Sequence, residues 1–446
     1  METRVTLRAS GWRRTASGDT SMSSLNRPVA VLVAAALALG ACTSAPAGGV
    51  ELARSAVART SANPADAALA GAAINAFGLE LYARLASTQG NLIVSPASIA
   101  LALGMARAGA KGQTAAEMDM VLHNLAADAN PGWLNALDAA LASRSGTFKD
   151  ATGQDLAVAL RIANAPFAQQ GMALEQAYLD ALASRYGAGL RLVDYVKATE
   201  AARKAINGWV SEQTEQRIPD LLVPGVLTQD SRLTLVNAIY LKAPWLDAFE
   251  AEATSAAAFT RADGATVSVP FMHETASLRY AKGEGWQAVE LPYTGGSLAM
   301  TVILPDRLAE FEAALDVAKL AEITSALTDE QVTLALPKFS IETRAQLGEL
   351  LSALGMPTAF GGAADFSGIT QAEQLAISDV IHQANIDVDE KGTTAAAATA
   401  VVLRATAMPT DPVHVTVDHP FLFALRDVPT GAVLFLGRVA DPSIVR

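Results

Sequence analysis

The sequence predicts an α+β fold in one large domain, and three observations carry that prediction. In the early part of the body, apolar residues recur at three- and four-residue steps, the spacing of helices. In the later part, short runs enriched in β-branched residues and bounded by Gly or Pro dominate, the pattern of antiparallel strands. From about residue 65 to 446 there is no second linker, no repeat of about 20–50 residues and no long charge block. Helices followed by many strands is the α+β order. A length of 446 residues alone would allow about three domains, but that uninterrupted stretch argues for one.

Composition narrows the function classes. With 51% hydrophobic and 17% charged residues the chain can bury a large core. The net charge of −12 argues against a general nucleic-acid binder, so no nucleic-acid partner is expected. A single cysteine, Cys42, excludes an intrachain disulfide framework and a Cys-rich structural zinc site, and no metal or other cofactor is expected.

The chain begins with an export pattern. Residues 29–39 are eleven consecutive apolar residues, too few for a permanent bilayer span of ~20. Arg27 supplies the positive flank, and the run ends in Leu39-Gly40-Ala41-Cys42, so residues 1–41 read as a signal peptide. Met22 opens an ordinary signal of its own, which makes it a candidate true start; the Arg13-Arg14 pair lies too far upstream to be a strong twin-arginine signal. The Leu-Gly-Ala-Cys end resembles a bacterial lipobox, which implies diacylglyceryl attachment to the Cys42 sulfur and cleavage before it. Loss of residues 1–41 leaves 28 Lys and Arg against 43 Asp and Glu, a net −15. Two or three acyl chains on one cysteine give stable attachment where a single chain gives marginal binding. Residues 42–65, small and polar after Cys42, are expected to be a flexible tether.

Within the body, Leu69, Ala73, Ala76, Phe77, Leu81 and Leu85 predict the first clear helix. A second is expected from Thr199 to about Gln216, with Ile206, Trp209 and Val210 on its apolar side. Strands are expected at 233–241, 288–292, 298–304 and 332–336. The runs 421–425 and 432–436 flank the turn Asp427-Val-Pro-Thr-Gly431 and read as a hairpin.

No catalytic pattern accompanies this architecture. The five histidines are His123, His273, His382, His414 and His419; the last two, five apart, would lie on opposite faces of a strand and make no ligand pair. There is no Gly-x-Ser-x-Gly elbow, His-Glu-x-x-His helix, phosphate loop or dinucleotide fingerprint. The residues alone stop at an exported, lipid-anchored α+β domain.

Five segments in order resemble the serpin family of protease inhibitors over residues 66–446. They are Asn91-Leu-Ile-Val-Ser95-Pro-Ala-Ser98-Ile99 with Gly109-Ala-Lys-Gly-Gln-Thr-Ala-Ala-Glu-Met118; Ile206-Asn-Gly-Trp209-Val; Leu235-Val-Asn237 through Pro244-Trp245; Val388-Asp-Glu390-Lys-Gly392-Thr393 with the Ala run to Thr399; and Asp418-His-Pro-Phe-Leu-Phe423 with Phe435-Leu-Gly-Arg438-Val. The resemblance implies a large central sheet, two smaller sheets, about nine helices and an exposed reactive loop, here about 390–412. It also implies that a protease cuts that loop, becomes acylated, and is disabled when the loop inserts as a new central strand. Such a protein is a metastable trap and no enzyme.

The hinge fits that role. Every second residue from Thr393, namely Ala395, Ala397, Thr399, Val401 and Leu403, is uncharged and no larger than Leu, while the alternate set carries the stretch's one charge, Arg404. The first proline after the hinge is Pro409. Read without the family, Thr393-Thr394 before an Ala run is a capped helix, and the family match reverses that reading. The family's spacing of sixteen residues from Glu390 puts the scissile bond at Thr406-Ala407, which suits an elastase-like or subtilisin-like serine protease. Arg404 would suit a trypsin-like enzyme but would shorten the inserted strand.

By position, Ser95, Ser98, Asn237 and His382 match the family's buried polar cluster, where the central strands part; a satisfied core histidine is the plain alternative. Trp245 and the pair Lys338 with Glu390 match the region where the loop first enters, although as plain surface charges the pair would be worth under ~1 kcal/mol. Ala243-Pro244 departs from the family's usual Gly and polar residue. The expected protein is therefore a monomeric, lipid-anchored inhibitor of serine proteases facing the periplasm or cell exterior. The alternative is a non-inhibitory serpin acting as a surface binding module.

Overall fold

A computed structural model describes residues 50–130, 132–393 and 411–444. The reactive-loop positions Ala395, Ala397, Thr399, Arg404, Thr406 and Ala407, the signal region and Cys42 lie outside the described residues.

The chain order is β1 (Glu51–Ala53), α1 (Asp66–Leu85), β2 (Leu92–Val94), α2 (Pro96–Arg107), α3 (Gly112–Val121), α4 (Trp133–Ala142), β3 (Gly146–Lys149), β4 (Asp155–Gln169), α5 (Gln176–Tyr186), β5 (Leu190–Val193) and α6 (Tyr195–Gln213). Then come β6 (Leu233–Pro244), β7 (Ser255–Thr260), β8 (Thr266–Gly283), β9 (Trp286–Pro292), β10 (Leu298–Pro305), α7 (Leu308–Ala314), α8 (Val317–Ala326), β11 (Thr328–Pro337), β12 (Phe339–Gln346) and α9 (Gly348–Leu354). The chain closes with β13 (Asp379–Asp389), β14 (Gly392–Thr393), β15 (Val413–Thr416), β16 (Phe421–Asp427) and β17 (Val433–Val439). Among the described residues there are nine α-helices, and none is long and apolar enough to cross a membrane.

The first sheet runs β1-β5-β4-β6-β14-β13-β12, with β3 on β4. Around β6 it is covered on both faces. Beneath it lies α2, capped by Ser95, whose Oγ accepts the Ser98 N–H, with Pro96 at its first position. Over the other face, α6 and the segment after it bring Tyr195, Ile206, Val210, Ile218 and Leu222 onto Phe167, Val236 and Ile381. Burial on both sides explains why β6 reads as a nearly unbroken apolar run.

The second sheet runs β15-β11-β8-β9-β10-β16-β17-β2, with β7 on β8. The two smaller sheets that were expected are thus joined by hydrogen bonds, because the 18-residue β8 pairs first with β7 and β11 and at its end with β9. The C-terminal hairpin forms as expected.

Several local expectations are corrected. Residues 50–65 are no free tether: β1 pairs with β5, Ser55 Oγ donates to Asp180 at 2.5 Å, and Arg59 binds Asn135 and Asp138. Backbone groups with a sheet edge available pair with it. Leu69 is half exposed, because the buried stripe of α1 runs through Ala70, Ile74, Phe77, Leu81 and Tyr82. The second helix begins at Tyr195, where Asp194 caps it, and kinks at Ala198. Trp209 is half-buried, edge-on to Phe167 and under the Arg191 guanidinium. His419 lies beyond the end of β15 and bonds Asp418 and the Pro305 carbonyl, so it shares no strand with His414.

Candidate functional site: the seam between β6 and β13

The central feature is a seam. Five parallel pairs, from Thr234 with Asp379 to Ala238 with Gln383, join β6 to β13 at its lower end. At its upper end β14 sits between the same two strands: Gly392 and Thr393 pair with Pro244 and Ala243 on one side and with Asp389 and Val388 on the other. Gly392 and Thr393 are therefore seated between β6 and β13 as a two-residue strand.

Buried contacts hold it there. Thr393 is buried, and its hydroxyl is 2.5 Å from Tyr293 Oη. Trp245 stacks on Tyr293 with ring centroids 4.5 Å apart, donates from Nε1 to the Asp389 carbonyl, and donates its backbone N–H to the Lys391 carbonyl. That last bond lies next to Pro244, which has no N–H to give, so the proline ends β6 without an orphaned partner. Gly392 has φ +140°, and a Cβ there would lie 2.3 Å from the Ala243 carbonyl oxygen. Only glycine fits so close to β6 at that angle.

Glu390 anchors the turn before β14. Lys338 Nζ and Thr254 Oγ1 each donate to its carboxylate at 2.8 Å, and Phe249 N–H donates to its carbonyl. Burial would raise the Glu390 pKa, but the hydrogen bond from Lys338 and those from its other donors hold it below the ordinary range. The pair is thus half-buried and, with Thr254 and the Phe249 N–H, tied to neighbouring segments, not a bare surface contact.

Lower down, the four residues of the expected polar cluster come together with Asn164. Ser95 N–H donates to His382 Nε2 at 3.2 Å, and His382 Nδ1 bonds Asn237 Oδ1. Asn237 Nδ2 donates across the seam to the Ile381 carbonyl. Ser98 Oγ donates to Asn164 Oδ1, whose Nδ2 returns a bond to the Ser98 carbonyl. With Nε2 accepting, the neutral Nδ1–H tautomer is the one that fits. Full burial pushes the His382 pKa down to about 3. Asn237 and His382 stand opposite each other in register, so their hydrogen bond is a clasp across the seam.

A second tie crosses the same seam on the outer face. Glu215 binds Tyr240 of β6 and Arg161 of β4, while Arg217 pairs with Asp387 and accepts from Asn385 through its carbonyl. Arg344 of β12 donates to the Asp220 carbonyl. Tyr293, Thr254, Asn164 and this segment had no signal in the sequence that marked them, since each acts through its place in the tertiary structure. Among the described residues no group of three or more potential ligands could hold a metal.

Comparison with known proteins agrees with this architecture. The family model for the serpin, serine protease inhibitor, matches residues 72–442. The chain is 40% identical to an uncharacterized serpin-like protein of Thermococcus kodakarensis, over 83% of this chain and 85% of that one. It is 36% identical to the leukocyte elastase inhibitor of Sus scrofa, over 83% and 99%. The crystal structure of a thermophilic serpin, tengpin, in the native state superposes with a TM-score of 0.77 at 26% identity, covering 88% of this chain and all of that one. The chain belongs to the serpin (serine protease inhibitor) family.

Proposed function

We propose that this protein traps serine proteases as a suicide substrate and does so while held at a bacterial membrane by lipid on Cys42. The observation that carries the reading is the seated hinge: Gly392 and Thr393 occupy the top of a seam that is closed below by only five residue pairs. In the proposed step the protease's serine oxygen attacks the Thr406 carbonyl carbon. The bond to Ala407 breaks, Ala407 leaves as a protonated amine, and Thr406 stays esterified to the protease.

The freed segment then continues β14 downward. Extending either register, from Thr393 with Ala243 or from Thr393 with Val388, brings Thr399 opposite both Asn237 and His382. Both registers also bring Val402 opposite Thr234 and Asp379, which pair with each other in the closed seam. The two registers agree, so one strand satisfies both edges. Thr399 would replace the Asn237–His382 clasp with a hydroxyl able to bond either group. Its hydroxyl offers the donor and acceptor that an alanine would lack.

The elastase-like preference follows from the small residues at Thr406-Ala407 and agrees with the inhibitor named among the relatives. Incubation with elastase-like, subtilisin-like and trypsin-like proteases should give an SDS-resistant complex with one of the first two, and mass analysis should place the cut after Thr406. Cleavage by the whole panel without any complex would overturn trapping and leave a binding module. Cys42→Ala should release the protein from membranes; retention would remove the anchor.

A further inference from the structure

The N-terminal segment enters the first sheet at one defined end. One row of paired residues crosses the first sheet through Leu52, Arg191, Phe167, Thr234 and Asp379. This row is the lower end of the seam. The hinge row, Thr393 with Ala243, lies nine residues further up β6, about 30 Å away.

Chain direction matters as much as position. β1 is antiparallel to β5, so Glu51 faces Leu192 at the lower side and Ala53 faces Leu190 above it. The chain therefore enters β1 from the pole opposite the hinge. After β1 it is tied upward by Ser55 to Asp180, Arg59 to Asn135 and Asp138, and Thr60 N–H to the Ser184 carbonyl. Only residues 43–49 separate this docked segment from Cys42, a reach of at most about 28 Å.

We infer that the body stands on the lipid surface by the pole beneath the Leu52 row, with the hinge directed away. The inference rests on the lipid anchor and the trapping mechanism proposed above. Its consequence concerns the captured protease. Val402 arrives in the Leu52 row, and Thr406 lies four residues beyond it, past the lower end of β6. Trapping thus carries the protease from the outermost part of the inhibitor down to the membrane side.

The sequence has no cysteine besides Cys42, so a second cysteine can be labelled alone in the acylated protein. Asp230, exposed just before β6, marks the lower pole; Ala151, exposed and bonded through its N–H to the Leu246 carbonyl, marks the upper. Full-length acylated Asp230→Cys and Ala151→Cys would carry a donor dye on phosphatidylethanolamine and phosphatidylglycerol vesicles containing an acceptor-labelled lipid. Energy transfer should be severalfold greater from position 230, and equal or greater transfer from 151 overturns the orientation. Ser55→Ala with Arg59→Ala should bring the two signals together while the protein still floats with the vesicles; an undiminished difference would show that the docked segment is not what orients the body. Donor-labelled protease should show severalfold more transfer in the trapped complex than when its serine-to-alanine form is merely bound, and a fall overturns the delivery. If unlabelled wild-type chain does not float with vesicles at all, the anchor itself fails and the orientation falls with it, whereas flotation with equal signals removes the orientation alone.

Discussion

At Gly392 and His382 single residues decide what the seam can do. An alanine at 392 meets the Ala243 carbonyl oxygen at a φ that L residues rarely adopt, so the hinge cannot stay seated without moving β6. Gly392→Ala should lower the native melting temperature by the equivalent of about 1–3 kcal/mol and unseat Thr393 from Tyr293, which tyrosine fluorescence would report. His382 gives a pH dependence. The unfolded chain takes up the proton near the ordinary 6.5, while the native state holds it off until about 3. Stability is therefore full above the unfolded value and is lost as pH falls through the window between the two, by up to about 1.4 kcal/mol per pH unit. Urea titrations at a series of pH values should show that slope, and His382→Gln should flatten it. Thr399→Val should leave the uncut protein unchanged and make the cut form easier to unfold, since insertion in the extended β14 registers would set it against two buried polar groups. The polar cluster was legible from the motifs in the sequence, but the direction of the His382 shift was not, because it depends on burial and on which nitrogen accepts.

The elements show the same division. The hairpin of β16 and β17 was legible because its alternation and its turn residues are local signals. β4, the long neighbour of β6, was not: its Asp155–Gln169 stretch is rich in alanine, which is depleted in strands, and it holds its place by pairing with β6 over ten residues. The docking of β1 was equally hidden, since a three-residue strand has no periodicity to read. The segment from Glu215 to Leu222 is of this kind too, yet it ties the β4 and β6 side of the seam to the β12 and β13 side. A strand cannot be added beneath it while both ties hold. Arg217→Ala with Arg344→Ala should therefore speed loop insertion after cleavage, read as a faster rise in protease resistance, and lower the native melting temperature by a few degrees. If the rate is unchanged, the segment is no barrier.

For the whole molecule the question is where the driving energy resides. With one cysteine, and that one at the expected anchor, disulfides store none of it. The native chain closes its seam with five pairs and a two-residue hinge, whereas the inserted strand would bond on both sides from Thr393 to about Val402 and beyond. At about 0.5–1.5 kcal/mol net per hydrogen bond, that gain is on the order of 10 kcal/mol. At about 2 °C per kcal/mol for a domain of this size, cleavage between 394 and 410 should raise the melting temperature by roughly 20 °C. Thr393→Arg separates this from any general effect of cutting. Its guanidinium would have to enter the buried space now filled by a threonine hydroxyl against Tyr293. The variant should be cut at the same bond, form no complex and show almost no rise. A wild-type chain that is cut without any rise would mean that the seam does not open, and the protein would then act through its surface instead of by trapping.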